Sequence, residues 1–335
     1  MLPPLATIPP PPFNGLQLGP LDVRLYGILI ALGAYLALRL TVRRYERLGG
    51  DAEAAEKAAL VALAGGFIGA RIGYVIPRLD YFVANPQDVL AIWQGGLTLF
   101  GGLAGGSLAG VWYLRRKAMD VPAFAHAIAP ALPLAQAIGR WGNYFNQELY
   151  GRPTDLPWAL QVEAPFRRPG FEQFATFHPT FLYESLWNVT LVLVLLAIDR
   201  TGRIRRGGLI FVYLIGYGIG RAWIEALRID TAERYLGWSR NNWVALLVIV
   251  IGVVGLAWWQ RRPVAEPTET ADAEHELTSG DDHEQTSGEV DEQPSDEDHE
   301  QGSGSHAANP DEHPADQQVL TDEDAPRPGD ADDAR

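Results

Sequence analysis

"NNWVALLVIVIGVVGLAWW", residues 241–259, runs for nineteen positions without a charged side chain. That is close to the roughly 20 apolar residues an α-helix needs to cross a hydrocarbon layer. Working outward, "LWNVTLVLVLLAI" at 186–198 and the stretch from 23 to 42 have the same character. Four further apolar segments are interrupted by Gly or Pro, and "VPAFAHAIAPALPLAQAI" at 121–138 carries three prolines. Interruptions of this kind survive in a bilayer only where neighbouring helices or a wet cavity satisfy the freed backbone groups. The expected fold is therefore all-α: a polytopic membrane protein with seven transmembrane helices, near 23–42, 58–76, 97–114, 122–139, 179–198, 208–226 and 242–260, packed around a cavity.

The net charge of −14 averages two unlike halves of the 335-residue chain. Residues 263–335 hold 24 acidic side chains and two Arg, whereas residues 1–262 hold 17 acidic and 25 basic. The acidic part has almost nothing apolar to set against the entropy of ordering it, so a disordered cytoplasmic tail is expected. Five of the seven histidines lie there, irregularly spaced among acids, which fits a solvated tail better than a metal site. With no cysteine in the chain, disulfides, thiolate metal sites and a cysteine nucleophile are excluded. The start, "MLPPLATIPPPPFNG", has no basic region followed by an apolar run and reads as a Pro-rich arm, not a signal peptide. Three parts result: an arm at 1–22, a membrane domain at 23–262 and a tail at 263–335.

Lys and Arg set the orientation. One set of short loops carries thirteen (Arg43, Arg44, Arg47, Lys57, Arg115, Arg116, Lys117, Arg200, Arg203, Arg205, Arg206, Arg261 and Arg262), against eight on the other side. The positive-inside rule places that set in the cytoplasm, with the N-terminus outside and the C-terminus inside.

Against this background "GRWGNYFNQELYG", residues 139–151, is anomalous, because an unpaired charge near a bilayer centre costs at least about 2.5 kcal/mol. Helices rise about 1.5 Å per residue, and on that scale Arg71, Arg140, Arg221, Glu225, Tyr26, His178, Glu184 and the glycines opening span three (Gly95, Gly96, Gly101, Gly102) all fall in the outer third of the membrane. Each has a plainer reading. Arg221 and Glu225, four apart, suit a structural ion pair; Arg71 suits a packing anchor, Tyr26 an interfacial belt and His178 a helix start. The glycines suit close helix packing, and Asn143 and Asn146 hydrogen bonds to a broken backbone. His126, low in span four, reads as structural. Three Arg at one depth, with Glu148 and Glu225 too few to neutralise them, instead favour an anion. Guanidinium forks match phosphate oxygens, and a cavity for an anionic lipid head is the physical expectation. A secondary transporter would place its site near the midplane of repeated halves. A non-catalytic scaffold would not require the outer cluster.

"GRWGNYFNQELYG" resembles the signature of the prolipoprotein diacylglyceryl transferase family, and "LYGILIALG" (25–33), "GARIGYVI" (69–76), "HPTFLYES" (178–185) and "YGIGRAWIE" (217–225) match its other blocks in order. The resemblance covers roughly residues 13–260. It implies a multi-pass enzyme of the bacterial cytoplasmic membrane that moves the sn-1,2-diacylglyceryl group of phosphatidylglycerol to the lipobox cysteine of prolipoproteins, releasing glycerol 1-phosphate. No metal, organic cofactor or nucleic-acid partner is implied. The family's essential positions fall on Tyr26, Arg140, Asn143, Glu148, Gly151, Arg221 and Glu225, with Arg71 and His178 in support and Asn146, Gly101 and Gly102 as further substrate contacts. By the same resemblance Arg140 and Arg221 stabilise the leaving phosphate, Asn143 and Tyr26 orient oxygens, Gly151 admits close backbone approach and Glu225 holds Arg221. Two positions depart from the pattern: Phe100 stands where many members carry a His assigned as general base, and His126 where Asp is expected. Phe100 accepts no proton, which leaves Glu148 and His178 as candidate bases.

Overall fold

The computed structural model describes residues 7–18, 21–92, 95–229 and 234–262. The tail from 263 onward and the first six residues of the arm lie outside the described residues, as does the disorder expected of that tail. The molecule is mostly helical. After a hairpin of β1 (Gly15–Leu18) and β2 (Leu21–Arg24) come α1 (Leu25–Arg47), α2 (Ala52–Val75), the short α3 (Leu79–Ala84), α4 (Leu99–Arg116), α5 (Val121–Ile128) and α6 (Ala131–Phe145). Two paired strands, β3 (Leu160–Gln161) and β4 (Thr176–Phe177), precede α7 (Thr180–Arg200) and α8 (Leu209–Leu227). A last pair, β5 (Arg234–Tyr235) and β6 (Trp238–Ser239), leads into α9 (Arg240–Arg261).

Among the described residues six helical stretches are long and apolar enough to cross a membrane: Leu25–Arg47, Ala52–Ala84, Val121–Phe145, Thr180–Arg200, Leu209–Leu227 and Arg240–Arg261. The remaining expected span, near 97–114, is α4, whose eighteen residues are diluted by five glycines and by Arg115 and Arg116. The helices expose Ile28, Leu32 and Tyr35 of α1, Leu108 and Trp112 of α4 and Leu247, Val254 and Trp258 of α9. Such a surface suits lipid tails, which are as apolar as Leu.

Neighbours follow the order α4, α2, α1, α6, α7, α8, α9. Small residues set the closest approach: a Cβ on Gly69 of α2 would lie 2.4 Å from the Gly101 carbonyl oxygen of α4, and one on Gly105 the same distance from that of Gly65. Cross-links of a polar kind fix the register between α6 and α7, where the Trp141 indole donates to Ser185 Oγ (3.2 Å) and Ser185 donates to the Ala137 carbonyl (3.0 Å). Between α7 and α8 the Trp187 indole donates to the Gly216 carbonyl at 3.0 Å.

The expected boundaries shift in three places. The Pro-rich span divides at Ala129–Pro130 into α5 and α6, with Pro122 in the first turn of α5, where its missing N–H costs nothing, and Asp120 capping the Ala123 amide at 2.9 Å. Helix α6 then continues to Phe145, so Arg140 lies inside it, about 7 Å from its end. The arm is no loose segment over 7–10: Ile8 pairs in parallel with Leu160, its amide bonded to the Ala159 carbonyl at 2.9 Å and its carbonyl to the Gln161 amide at 2.9 Å.

Two ends of the bundle differ. The basic end gathers the 48–51, 117–120 and 201–208 connections. The loop end carries 76–92, 95–98, the long 146–179 segment and the strand pairs, with a small core of Tyr150, Leu160, Val162, Phe177 and Phe181.

Candidate active site

Three helices deliver charge to one place, one to two turns inside the loop end. Helix α6 presents Gln136, Arg140 and Asn143, spaced four and three apart and therefore on one face. Helix α7 presents Glu184, Trp187 and Asn188, and α8 presents Tyr217, Gly220, Arg221 and Ile224. All but Asn143 line a narrow cleft with free space of about 20 Å3. The Arg140 Nε–H pairs with a Glu184 carboxylate oxygen, and Arg221 Nη1 lies 3.9 Å from the other. Arg228 Nη1, just past the end of α8, is also 3.9 Å from Glu184. Arg221 pairs in addition with Glu225 at 2.9 Å, and Asn241 of α9 donates to Glu225 at 2.7 Å, so the first turn of α9 fixes the carboxylate that fixes Arg221.

From Arg140 the network runs toward the loop. Arg140 Nη1 donates to the Asn143 side-chain oxygen (3.3 Å), and the amides of Asn143 (2.8 Å) and Asn146 (3.2 Å) both donate to Glu148 Oε1. Glu148 stands between Gln147 (φ 50°) and Leu149 (φ 59°), two non-glycine residues in the left-handed region, where such residues are uncommon. The conformation is held from outside. Gln147 donates to Glu163 Oε2 at 2.8 Å and accepts from the Glu163 amide at 2.9 Å, while the Leu149 carbonyl accepts from Thr180 Oγ1 at 2.5 Å.

Gly151 does admit a close backbone, but that of its own chain. Its N–H bonds the His178 carbonyl at 2.9 Å, and a Cβ there would meet the Leu227 carbonyl oxygen at 2.9 Å and His178 Cβ at 2.8 Å. This junction ties the Glu148 loop to the starts and ends of α7 and α8. His178 Nδ1 lies 3.3 Å from the Tyr183 hydroxyl, which also accepts from the Trp158 indole at 2.9 Å. Burial holds the His178 imidazole below its ordinary pKa range.

Other expected site residues lie elsewhere. Arg71 does not join Arg140 and Arg221: its guanidinium donates to the carbonyls of Asp88, Val89, Gly95 and Gly96 at 2.5–3.0 Å. It ties residues 88–89 to residues 95–96, beside the Tyr74 and Phe82 rings. Gly101 and Gly102 face α2, where the Gly69 and Gly66 carbonyls approach them. Tyr26 packs its ring on Gly142 of α6, one residue from Asn143. Phe100 is largely exposed on α4, outside the cleft. Glu184 was noted among the unusual residues of the spans but given no role, and Arg228, Gln136, Asn188 and Tyr217 were not singled out, although the four-residue spacing of Gln136 with Arg140, Glu184 with Asn188 and Tyr217 with Arg221 is visible in the sequence.

The sequence profile described as Prolipoprotein diacylglyceryl transferase matches residues 14–258. The chain belongs to this family. A relative from Frankia alni, named phosphatidylglycerol--prolipoprotein diacylglyceryl transferase, is 44% identical over 263 residues, covering 77% of this chain and 69% of its own. Relatives of the same name from Streptomyces griseus (39% over 287 residues, 83% and 86% covered) and Cutibacterium acnes (41% over 260 residues, 76% and 88% covered) are similar to it over the same region. In this family member a chain of ion pairs and hydrogen bonds links the charged cleft to the signature loop, from Glu225 through Arg221, Glu184, Arg140 and Asn143 to Glu148.

Proposed function

We infer that this diacylglyceryl transferase moves the sn-1,2-diacylglyceryl group of phosphatidylglycerol to the thiol of the cysteine following a prolipoprotein signal peptide, in keeping with the donor and acceptor that its relatives' name prints. The observation supporting this reading is the meeting of Arg140 and Arg221, from α6 and α8, in one cleft inside an apolar bundle. A thiolate sulfur attacks the glyceryl carbon that bears the phosphate; the C–S bond forms as the C–O bond breaks, and its electron pair leaves on the phosphate oxygen. Glycerol 1-phosphate departs. Guanidiniums positioned where that charge grows lower the barrier, each such donor being worth about 10²–10³ in rate. They also favour the thiolate over the thiol, whose ordinary pKa is about 8.5. Glu148, joined to Arg140 through Asn143, is the candidate acceptor of the thiol proton, a task Phe100 cannot perform. Tyr26 and Asn146 sit where they would border the glycerol, and His178 and Gly151 act through the junction that supports the loop.

The same reading sets the membrane topology: seven crossings including α4, the loop end outside the cytoplasmic membrane and the basic end inside, following the Lys and Arg count. The reaction then takes place in the outer leaflet, where an exported signal peptide presents its cysteine. The test is to incubate purified protein in detergent with phosphatidylglycerol and a signal peptide bearing its Cys, and to weigh the peptide. A mass gain equal to one diacylglyceryl group is expected; no gain with folded protein refutes the assignment.

A further inference from the structure

Glu184 sits where the reaction needs no negative charge. Its carboxylate is buried, reaches Arg140 with one oxygen and approaches Arg221 and Arg228 with the other. It therefore spans the two guanidiniums to which the preceding reading assigns the phosphate. Arg221 is already held by Glu225 on its far side, and α7 is tied to α6 by the Trp141–Ser185–Ala137 bonds. Helix packing and the orientation of Arg221 thus have other supports. A carboxylate bridging two forks resembles in charge and spacing the anion those forks are there to receive.

We propose that Glu184 is a built-in competitor for the phosphate seat: it satisfies Arg140 and Arg221 when the cleft is empty and, by competing with the departing anion, sets how fast the phosphate product leaves. The proposal rests on the transferase reading given above. A tethered anion is present at high effective concentration, so each incoming phosphate gives up part of its binding energy to displace it. That loss falls on substrate and product alike. It speeds release of glycerol 1-phosphate, which otherwise gains two guanidinium partners and a full new charge. A purely structural Glu184 predicts the opposite sign, since loosening the two arginines weakens every anion they bind.

The deciding variant is Glu184→Gln, which keeps shape and removes charge. Glycerol 1-phosphate is titrated calorimetrically into wild-type and variant protein in detergent, and used as a product inhibitor of transfer. Removal of one close charge competitor should tighten its Kd and inhibition constant about tenfold or more, lower the KM for phosphatidylglycerol and slow kcat. Unchanged or weaker binding by folded Glu184→Gln overturns the proposal. If that variant is not monodisperse, Glu184→Asp, its carboxylate drawn back by one methylene, should tighten binding roughly threefold, and unchanged or weaker binding again overturns it. Wild-type protein that gives no lipidated peptide removes the transferase reading itself. Wild-type transfer with unaltered variant affinity removes only the role of Glu184.

Discussion

The bundle holds two charged clusters, one at each end, built from similar residues but differing in exposure. At the basic end Arg44 donates from Nε to the Ala127 carbonyl (3.1 Å) and from Nη2 to Asp199 (3.1 Å), and His126 Nε2 lies 2.6 Å from the same carboxylate. The Gly207 amide donates to His126 Nδ1 at 3.2 Å, which leaves Nε2 as the ring nitrogen that donates to Asp199. Every group there faces a partner from α1, α5, α7 or the 207 turn. At the loop end the Arg140 and Arg221 side chains keep 26% and 19% of their surface accessible, against 7% for Arg44. Buried ion pairs alone therefore do not mark a site. What separates the two clusters is the narrow cleft lined by Arg140, Glu184 and Arg221, with guanidiniums from two separate helices meeting at one carboxylate.

Breaking the comparison at its strongest point gives the largest effect. Arg140→Ala and Arg221→Ala should each lower transfer by at least about 100-fold, measured by peptide mass, while the protein remains folded by size exclusion and circular dichroism. The mirror experiment at the basic end is Asp199→Ala, which strands Arg44 and His126. It should cost about 1–3 kcal/mol of stability, since Asp199 is only partly buried, and lower the unfolding temperature while kcat of the surviving folded protein stays near wild type. Loss of kcat comparable to that of the arginine variants would erase the distinction between the clusters.

Arg71→Lys sharpens it from a third position. Lys offers a single charged point in place of a fork and cannot hold four carbonyls together, so proteolysis within 86–96 should accelerate while transfer falls by about tenfold or less. The smallest effect concerns His178. Its folded pKa lies below the ordinary value of about 6.5, so as the pH falls through 6.5 the unfolded chain takes up the proton first. Its stability contribution is complete above that pH and declines below it toward the folded value. Thermal stability scanned from pH 8 to pH 5 should show this slope, and His178→Gln should reduce it.

Much of the fold was legible because lipid imposes a simple rule. Long apolar runs without charge must be helices, and six of the seven expected spans meet the length and hydropathy requirement. The seventh, α4, looks weaker for a reason the sequence also shows: its glycines serve the α2 contact, where Gly101 and Gly105 admit the opposing carbonyls. The strand pairs around α6 and α7 were not legible, because two-residue ladders such as Leu160–Phe177 leave no alternating pattern long enough to read. Nor was the left-handed turn about Glu148, since neither Gln147 nor Leu149 is a residue type that favours positive φ; their partners Glu163 and Thr180 are distant in sequence.

The sequence by itself determined the membrane character, the family and where each charge stands along its helix, because composition and a rise of about 1.5 Å per residue translate directly into position along a helix. Only the tertiary structure decided direction around the helix. Arg71 and Arg221 were expected at one depth, yet one turns to the carbonyls of Asp88 and Val89 and the other into the cleft. Rotation about a helix axis and the register between neighbours are set by contacts such as Trp141 with Ser185 and Trp187 with Gly216. Those contacts join residues 44 and 29 positions apart, which no local pattern brings together.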